Sequence, residues 1–292
     1  MPPVTNVASV PHRTPFRYPG GKTWLVPQVR RWLAALPQRP AVFCEPFCGG
    51  AIVGLSVLFE DLVDRLMLVE LDTDVAAVWQ TILEGDCEEL IWRIGEFEVT
   101  HENVRGVLTC PAVSTIDRAF ATIVRNRVQR GGILAPGASL MKLGENGRGL
   151  KSRWYPETLQ RRIRGICAQR GKIDLLHGDG LDALTASSAQ SNFVYFIDPP
   201  YTIAGRRLYV HSEIDHERLF RICSRLAGDF LITYDDAAAV RDLAERFGFD
   251  THLIPMKNTH HRIQFELIVG RNLDWARREA RELSQNALFE LV

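Results

Sequence analysis

Five consecutive apolar or aromatic residues, Phe193-Val194-Tyr195-Phe196-Ile197, run directly into Asp198-Pro199-Pro200-Tyr201. An apolar run with no polar alternation predicts a strand covered on both faces, as in a parallel sheet between helix layers. The two prolines fix the backbone and carry no N–H, which places the tetrapeptide at a strand's carboxyl edge, where open α/β sheets hold ligands. A carboxylate, carbonyls without neighbouring amide donors and an aromatic ring are presented together. That set suits a flat, amino-bearing heterocycle. Asp198 and the Pro199 carbonyl would accept from the two hydrogens of an adenine-type amine, and Tyr201 would stack on the ring. The same residues also fit a rigid strand-exit turn, since short motifs have accidental matches.

At 292 residues the chain can form one large α/β domain with an insertion, or two domains. Lys plus Arg equals Asp plus Glu at 35 each, so a nucleic-acid partner has to be argued from local charge. The six cysteines (Cys44, Cys48, Cys87, Cys110, Cys167, Cys223) form no C-x-x-C pair, and are expected to be buried, reduced thiols of a cytoplasmic protein. Met1-Pro2-Pro3-Val4 has no signal-peptide design and no apolar run approaches membrane-spanning length, so no membrane partner is expected.

After a proline-rich arm, Phe16-Arg17-Tyr18-Pro19-Gly20-Gly21-Lys22-Thr23 makes a glycine turn ahead of a helical pattern at Trp24, Leu25, Val29, Trp32 and Leu33. Its amides could receive an anion. A nucleoside triphosphate loop, G-x-x-x-x-G-K-[ST], is excluded because it needs glycine where Phe16 stands. The strand-like 41–45 leads into Pro46-Phe47-Cys48-Gly49-Gly50 and a helix through Leu58, the strand, glycine bend and helix of a nucleotide-type cofactor site. A second strand, 66–71, ends in Glu70, placed for ribose hydroxyls about 20 residues past the bend, with Asp72 or Thr73 as caps for the next helix.

From 86 to 170 the strand pattern gives way to helical periodicity at 90–97, 104–108, 116–128 and 159–167. The expected organisation is a catalytic domain from 1–85 and 171–292, with 86–170 inserted. Between Lys142 and Lys172 stand nine Lys or Arg against two acids, interleaved with Trp154 and Tyr155. With Arg125-Asn126-Arg127, this predicts a surface that tracks phosphates. The sheet resumes at 173–176, ending in Asp179, which suits either an adenine amino group or a helix cap. Beyond Tyr201 a loop with Arg206, Arg207, Tyr209 and His211 is expected to close over substrate. Then come a helix capped by Asp215, a strand at 230–234, a helix at 237–247 and two strands near 251–255 and 263–269. His260 and His261 lack a third ligand at suitable spacing, and no metal site is expected.

Three motifs in order, Arg17-Tyr18-Pro19-Gly20-Gly21-Lys22, Glu45-Pro46-Phe47-Cys48-Gly49-Gly50 and Asp198-Pro199-Pro200-Tyr201, resemble the Dam-type family of adenine-specific DNA methyltransferases. The likeness runs over most of the chain, because Glu266-Leu267-Ile268-Val269 also looks like that family's end. It implies an α/β, Rossmann-like methyltransferase domain with a mostly parallel central sheet and an inserted helical DNA-recognition domain. It further implies S-adenosylmethionine at the glycine bend and methyl transfer to N6 of an adenine flipped from double-stranded DNA.

Residue by residue, the likeness implies that Tyr18, Gly20, Gly21 and Lys22 hold the cofactor's methionine end and that Glu45, Phe47 and Gly49 form the bend. Glu70 takes the ribose, Asp179 the adenine, and Asp198, Pro199, Pro200 and Tyr201 the catalysis, with Asp198 also touching the cofactor. DNA contacts are expected from Arg17, Asn126, Arg127, Arg153, Arg161, Arg162 and Arg164, in a monomer. The sequence departs from the family at Cys48-Gly49-Gly50 and at Tyr18, where Trp is common. Methylation of RNA adenine, or a silent DNA-binding relative, are the alternative readings.

Overall fold

The computed structural model describes residues 10–17, 21–135, 138–144, 147–200, 214–257 and 263–278. Its strands are β1 Val42–Glu45, β2 Arg65–Glu70, β3 Ile173–His177, β4 Phe193–Ile197, β5 Asp229–Asp235, β6 Asp250–Lys257 and β7 Ile263–Gly270. They form one sheet in the order β3-β2-β1-β4-β5-β7-β6. The first five are mutually parallel, and β7 runs antiparallel to both β5 and β6. The sheet is therefore mostly parallel and Rossmann-like, as the sequence predicts.

Helices cover both faces. They are α1 Val26–Ala35, α2 Ile52–Phe59, α3 Thr73–Leu83, α4 Cys87–Glu96, α5 His101–Thr109, α6 Thr115–Val128, α7 Pro156–Ala168, α8 Gly180–Ala186, α9 His216–Cys223 and α10 Ala238–Arg246. Successive strand residues point to opposite faces, and the two cores divide accordingly. Phe43, Leu66, Leu68, Val194, Phe196 and Leu231 pack with α1, α2 and α3. Cys44, Tyr195, Ile197, Phe230 and Ile232 pack with α8, α9 and α10. In β4 the residues Val194 to Ile197 are all buried, which explains why the run carries no polar alternation.

Helix starts follow from local chemistry. Asp72 accepts from the N–H groups of Asp74 and Val75, and Asp215 from that of Arg218, each satisfying amides that the first turn leaves without partners. The helices α4 to α7 continue the core on the α3 side of the sheet through Leu90, Ile94, Ile123, Leu159 and Ile163. One expectation is corrected here. Cys87 and Cys167 are joined as a disulfide across 80 residues of sequence, and Cys110 is exposed, while Cys44, Cys48 and Cys223 are buried free thiols. The bond forms because α4 and α7 lie antiparallel, with Gln160 donating to the Ile91 carbonyl at 2.9 Å and the two cysteines at the adjoining helix ends. Among the described residues no helix is long and apolar enough to cross a membrane.

Candidate active site

The chain leaves β1 outward to β2 and β3, then returns on the other side with β4, so strand order reverses between β1 and β4. A crevice opens at such a reversal, outside the strands' carboxyl ends. On one lip lies the glycine bend after β1, and on the other Asp198-Pro199-Pro200 after β4.

The bend is held from both sides. Gly49 adopts φ 45°, a left-handed conformation that glycine takes at little cost. Its N–H donates to Glu70 Oε2 at 2.9 Å, and its carbonyl accepts from Trp79 Nε1 at 2.9 Å. Ala51, at the start of α2, also lies left-handed, at φ 49°, a strained position for a residue with a Cβ. Glu45, the last residue of β1, turns under α2 and accepts the Gly54 N–H at 2.5 Å. Burial pushes the Glu45 carboxyl up to about 8; the Gly54 N–H opposes this and the Asp198 charge adds to it. Glu70 also accepts the Asp72 N–H at 2.9 Å, and burial pushes its carboxyl up to about 7.

At the end of β3, Asp179 caps α8 through Oδ1, accepting from Leu181 and Asp182 N–H at 2.7 and 3.1 Å. The next residue packs against the bend itself: a Cβ on Gly180 would stand 2.2 Å from the Pro46 carbonyl oxygen and 2.9 Å from the Phe47 ring. Glu70 and Asp179 thus flank the glycine bend from neighbouring strand ends, and Phe47 packs between bend and α8.

Across the crevice, Asp198 is held by two partners. Its Oδ1 accepts from Thr233 Oγ1 at 2.8 Å and lies 3.0 Å from Lys22 Nζ, which also reaches Glu266 Oε1 at 3.2 Å. Lys22 and Glu266 are buried, whereas the Asp198 side chain keeps 27 % of its surface exposed, enough to meet a ligand. Gly21 precedes the short 3-10 turn that carries Lys22 inward. Pro199 is buried and Pro200 half-buried. Tyr18, Gly20 and Tyr201, with Arg206, Arg207, Tyr209, His211, His260 and His261, lie outside the described residues. Thr233 did not stand out in the sequence, and Glu266 did so only as the first residue of the closing Glu266-Leu267-Ile268-Val269 strand. Their signal was a polar residue within each of two apolar strand runs.

The residues expected to meet DNA divide into two groups. Asn126 is fully buried: its Oδ1 accepts the Arg17 N–H at 2.8 Å, and its Nδ2 donates to the carbonyls of Arg17 and Gly132, each at 2.8 Å. Arg127 is 5 % exposed and donates to the Pro15 carbonyl. Burial, with Arg162, Arg17 and Arg153 nearby, pulls the Arg127 guanidinium down to about 9. In this arrangement both side chains are buried, and together they clamp the N-terminal arm to α6. Arg162, half-buried, extends the clamp by donating to the Thr14 carbonyl at 3.2 Å. Arg17 and Arg153 are half-buried, and Arg161 and Arg164 are exposed on α7, with Arg164 3.9 Å from Glu88.

Residues 18–108 match the family model described as D12 class N6 adenine-specific DNA methyltransferase, which bears out the family resemblance over that stretch and supports a methyltransferase. No curated protein matches the chain. Among solved structures, the chain is similar to the rRNA methyltransferase aviRa from Streptomyces viridochromogenes, at 15% identity, 87% of this chain and 85% of that one covered, and a TM-score of 0.37. It is also similar to a precorrin-6y C5,15-methyltransferase from Geobacter metallireducens GS-15, at 10% identity, 83% and 84% covered, and a TM-score of 0.35.

Proposed function

We propose that this chain transfers a methyl group from S-adenosylmethionine to the N6 amine of adenine in duplex DNA, with the base turned out of the stack. The observation that carries the reading is the placement of Asp198-Pro199-Pro200 opposite the Gly49 bend at the reversal of strand order. A methyl donor on one lip and an amine on the other would meet there.

The residues present fit the cofactor. Asp198 and Glu266 share the Lys22 ammonium, and the buried Glu45 lies close enough to Asp198 to feel its charge, an acidic surrounding suited to a cationic sulfonium. Gly49 takes the left-handed backbone of the bend, and Gly180 lets α8 pack directly on Pro46 and Phe47, which holds the bend in shape for a ligand. Glu70 and Asp179 offer acceptors for hydroxyl and amino hydrogens, and Lys22 a cation for a carboxylate. When bound, S-adenosylmethionine supplies an electrophilic methyl group.

Asp198 and the Pro199 carbonyl would accept hydrogen bonds from the two N–H groups of the adenine amine. Its lone pair, otherwise delocalised into the ring, would then be localised on nitrogen and aimed at the methyl carbon. As the carbon–nitrogen bond forms, the carbon–sulfur bond would break with its electron pair staying on sulfur. The positive charge would pass to the nitrogen, where the Asp198 carboxylate stabilises it until one N6 proton is released, an effect strengthened where water is excluded. Holding the two reactants about 3 to 3.5 Å apart supplies much of the remaining acceleration. Basic residues exposed on α7, Arg161 and Arg164, would follow the phosphates.

The test is transfer of labelled methyl groups to duplex DNA, with mapping of the modified base after expression in a methylation-free host. Asp198→Ala is expected to abolish transfer while binding the cofactor nearly as well as the parent. A variant that methylates at close to the parent rate, or label appearing on structured RNA alone, would sink this reading.

A further inference from the structure

Asp198 is held more tightly than a strand-exit residue requires. Both described interactions of its carboxylate fall on Oδ1, from Thr233 Oγ1 at 2.8 Å and Lys22 Nζ at 3.0 Å. Oδ2 has no hydrogen-bond partner among the described residues. The sheet itself brings Thr233 there: Ile197 pairs with Ile232, and Asp198 and Thr233 are the next residues along the same two parallel strands. Thr233 is fully buried within Phe230-Leu231-Ile232-Thr233-Tyr234, where valine would satisfy packing and strand preference equally well. A buried hydroxyl is costly unless bonded, and here the carboxylate receives its hydrogen.

Glu266 poses the same question on β7. Its buried carboxylate lies 3.2 Å from Lys22 Nζ and belongs to an otherwise apolar strand end, Leu267-Ile268-Val269. Lys22 alone beside Asp198 would form a neutral pair, and a neutral pair attracts a developing cation weakly. Glu266 gives the ammonium a second carboxylate and so draws it partly away from Asp198.

Resting on the methyl-transfer reading above, we propose that Thr233 and Glu266 are positioning residues for Asp198. Thr233 and Lys22 occupy Oδ1, so that Oδ2 is the oxygen presented to the incoming amine. Glu266 keeps Lys22 from cancelling the charge that this oxygen needs. Neither residue touches substrate; both act through the carboxylate.

Three variants test the assignment, Thr233→Val, Thr233→Ser and Glu266→Gln, each in the full chain with duplex DNA and S-adenosylmethionine. Thr233→Val preserves shape and removes the hydroxyl. It is expected to lower kcat about 10- to 100-fold while KM for DNA and Kd for the cofactor stay within about threefold, the pattern of an interaction lost only in the transition state. Thr233→Ser restores the hydroxyl and is expected to return kcat to within about threefold of the parent. Glu266→Gln is expected to lower kcat about 10-fold, again with little change in cofactor affinity.

A purely structural role predicts otherwise: a lowered melting temperature, all constants weakened together, and serine no better than valine. That pattern, or Thr233→Val turning over within about twofold of the parent, overturns the assignment. The parent enzyme is the control for the underlying reading. If it transfers no methyl group, the function and the positioning fall together; if it is active and Thr233→Val matches it, only the positioning falls.

Discussion

Asn126→Ala removes the clamp between the N-terminal arm and α6, and its cost follows from the bonds it breaks. Asn126 is fully buried and uses both ends of its amide, accepting the Arg17 N–H and donating to the Arg17 and Gly132 carbonyls, all at 2.8 Å. Alanine cannot replace any of these bonds. The space it leaves lies beside Gly132, where even a Cβ would meet the Arg17 carbonyl oxygen at 2.5 Å, so neighbouring backbone has little room to rearrange into new partners. At about 1 kcal/mol for each bond lost, and more if a backbone group is left dry, the destabilisation should be about 3 kcal/mol. For a chain of 292 residues that lowers the melting temperature by about 5 °C, readable by circular dichroism. Asn103→Ala, on the exposed surface of α5, is the matched control and should shift it by no more than about 1 °C. An Asn126→Ala protein that melts with the parent would refute the argument that this side chain ties the arm down.

Gly180→Ala should displace the Pro46 carbonyl, 2.2 Å from the added Cβ, and weaken cofactor binding about 10-fold or more by calorimetry; parent-like affinity would show that the bend does not hold the ligand. Arg161→Gln with Arg164→Gln should reduce the salt slope of DNA binding by about 1 to 2 without changing the melting temperature, and an unchanged slope removes both from the interface. Glu45→Gln should flatten the pH dependence of stability. The folded Glu45 carboxyl titrates near 8, above its ordinary value of 4.5, so the native state binds more protons in between and stability falls as pH rises through that window. Melting temperatures from pH 5 to pH 8 that decline equally in parent and variant would refute this.

The sequence was legible where the signal was local. The β4 run, the glycine bend, the acid at the end of β2 and the Asp215 cap each depend on neighbours within a few residues, and each lies where periodicity and turn chemistry placed it. What escaped depends on contacts between distant segments. The hydrogen bonds of Asn126 and Arg127 to carbonyls of an arm more than 100 residues earlier have no local signal. Cys87 and Cys167 have no informative spacing because only the antiparallel packing of α4 on α7 brings them together. Thr233 reaches Asp198 across 35 residues, and Glu266 reaches Lys22 from the far end of the chain.

These distant contacts also bear on the plainest alternative, that Asp198-Pro199-Pro200 is only a stiff exit from a strand. A turn of that kind requires a proline and some polar cover, and stability would favour leaving it there. Around this one, Glu45 and Glu70 are buried with carboxyls pushed up to about 8 and 7, and Glu266 is buried against Lys22. Ala51 holds a left-handed backbone beside them where glycine would be unstrained. Each feature lowers the stability of the chain standing alone, and all of them lie at the carboxyl edge of the sheet. The concentration follows if the edge is shaped for a partner that brings a positive charge and needs an oriented carboxylate. A turn selected for rigidity alone gives no reason for it.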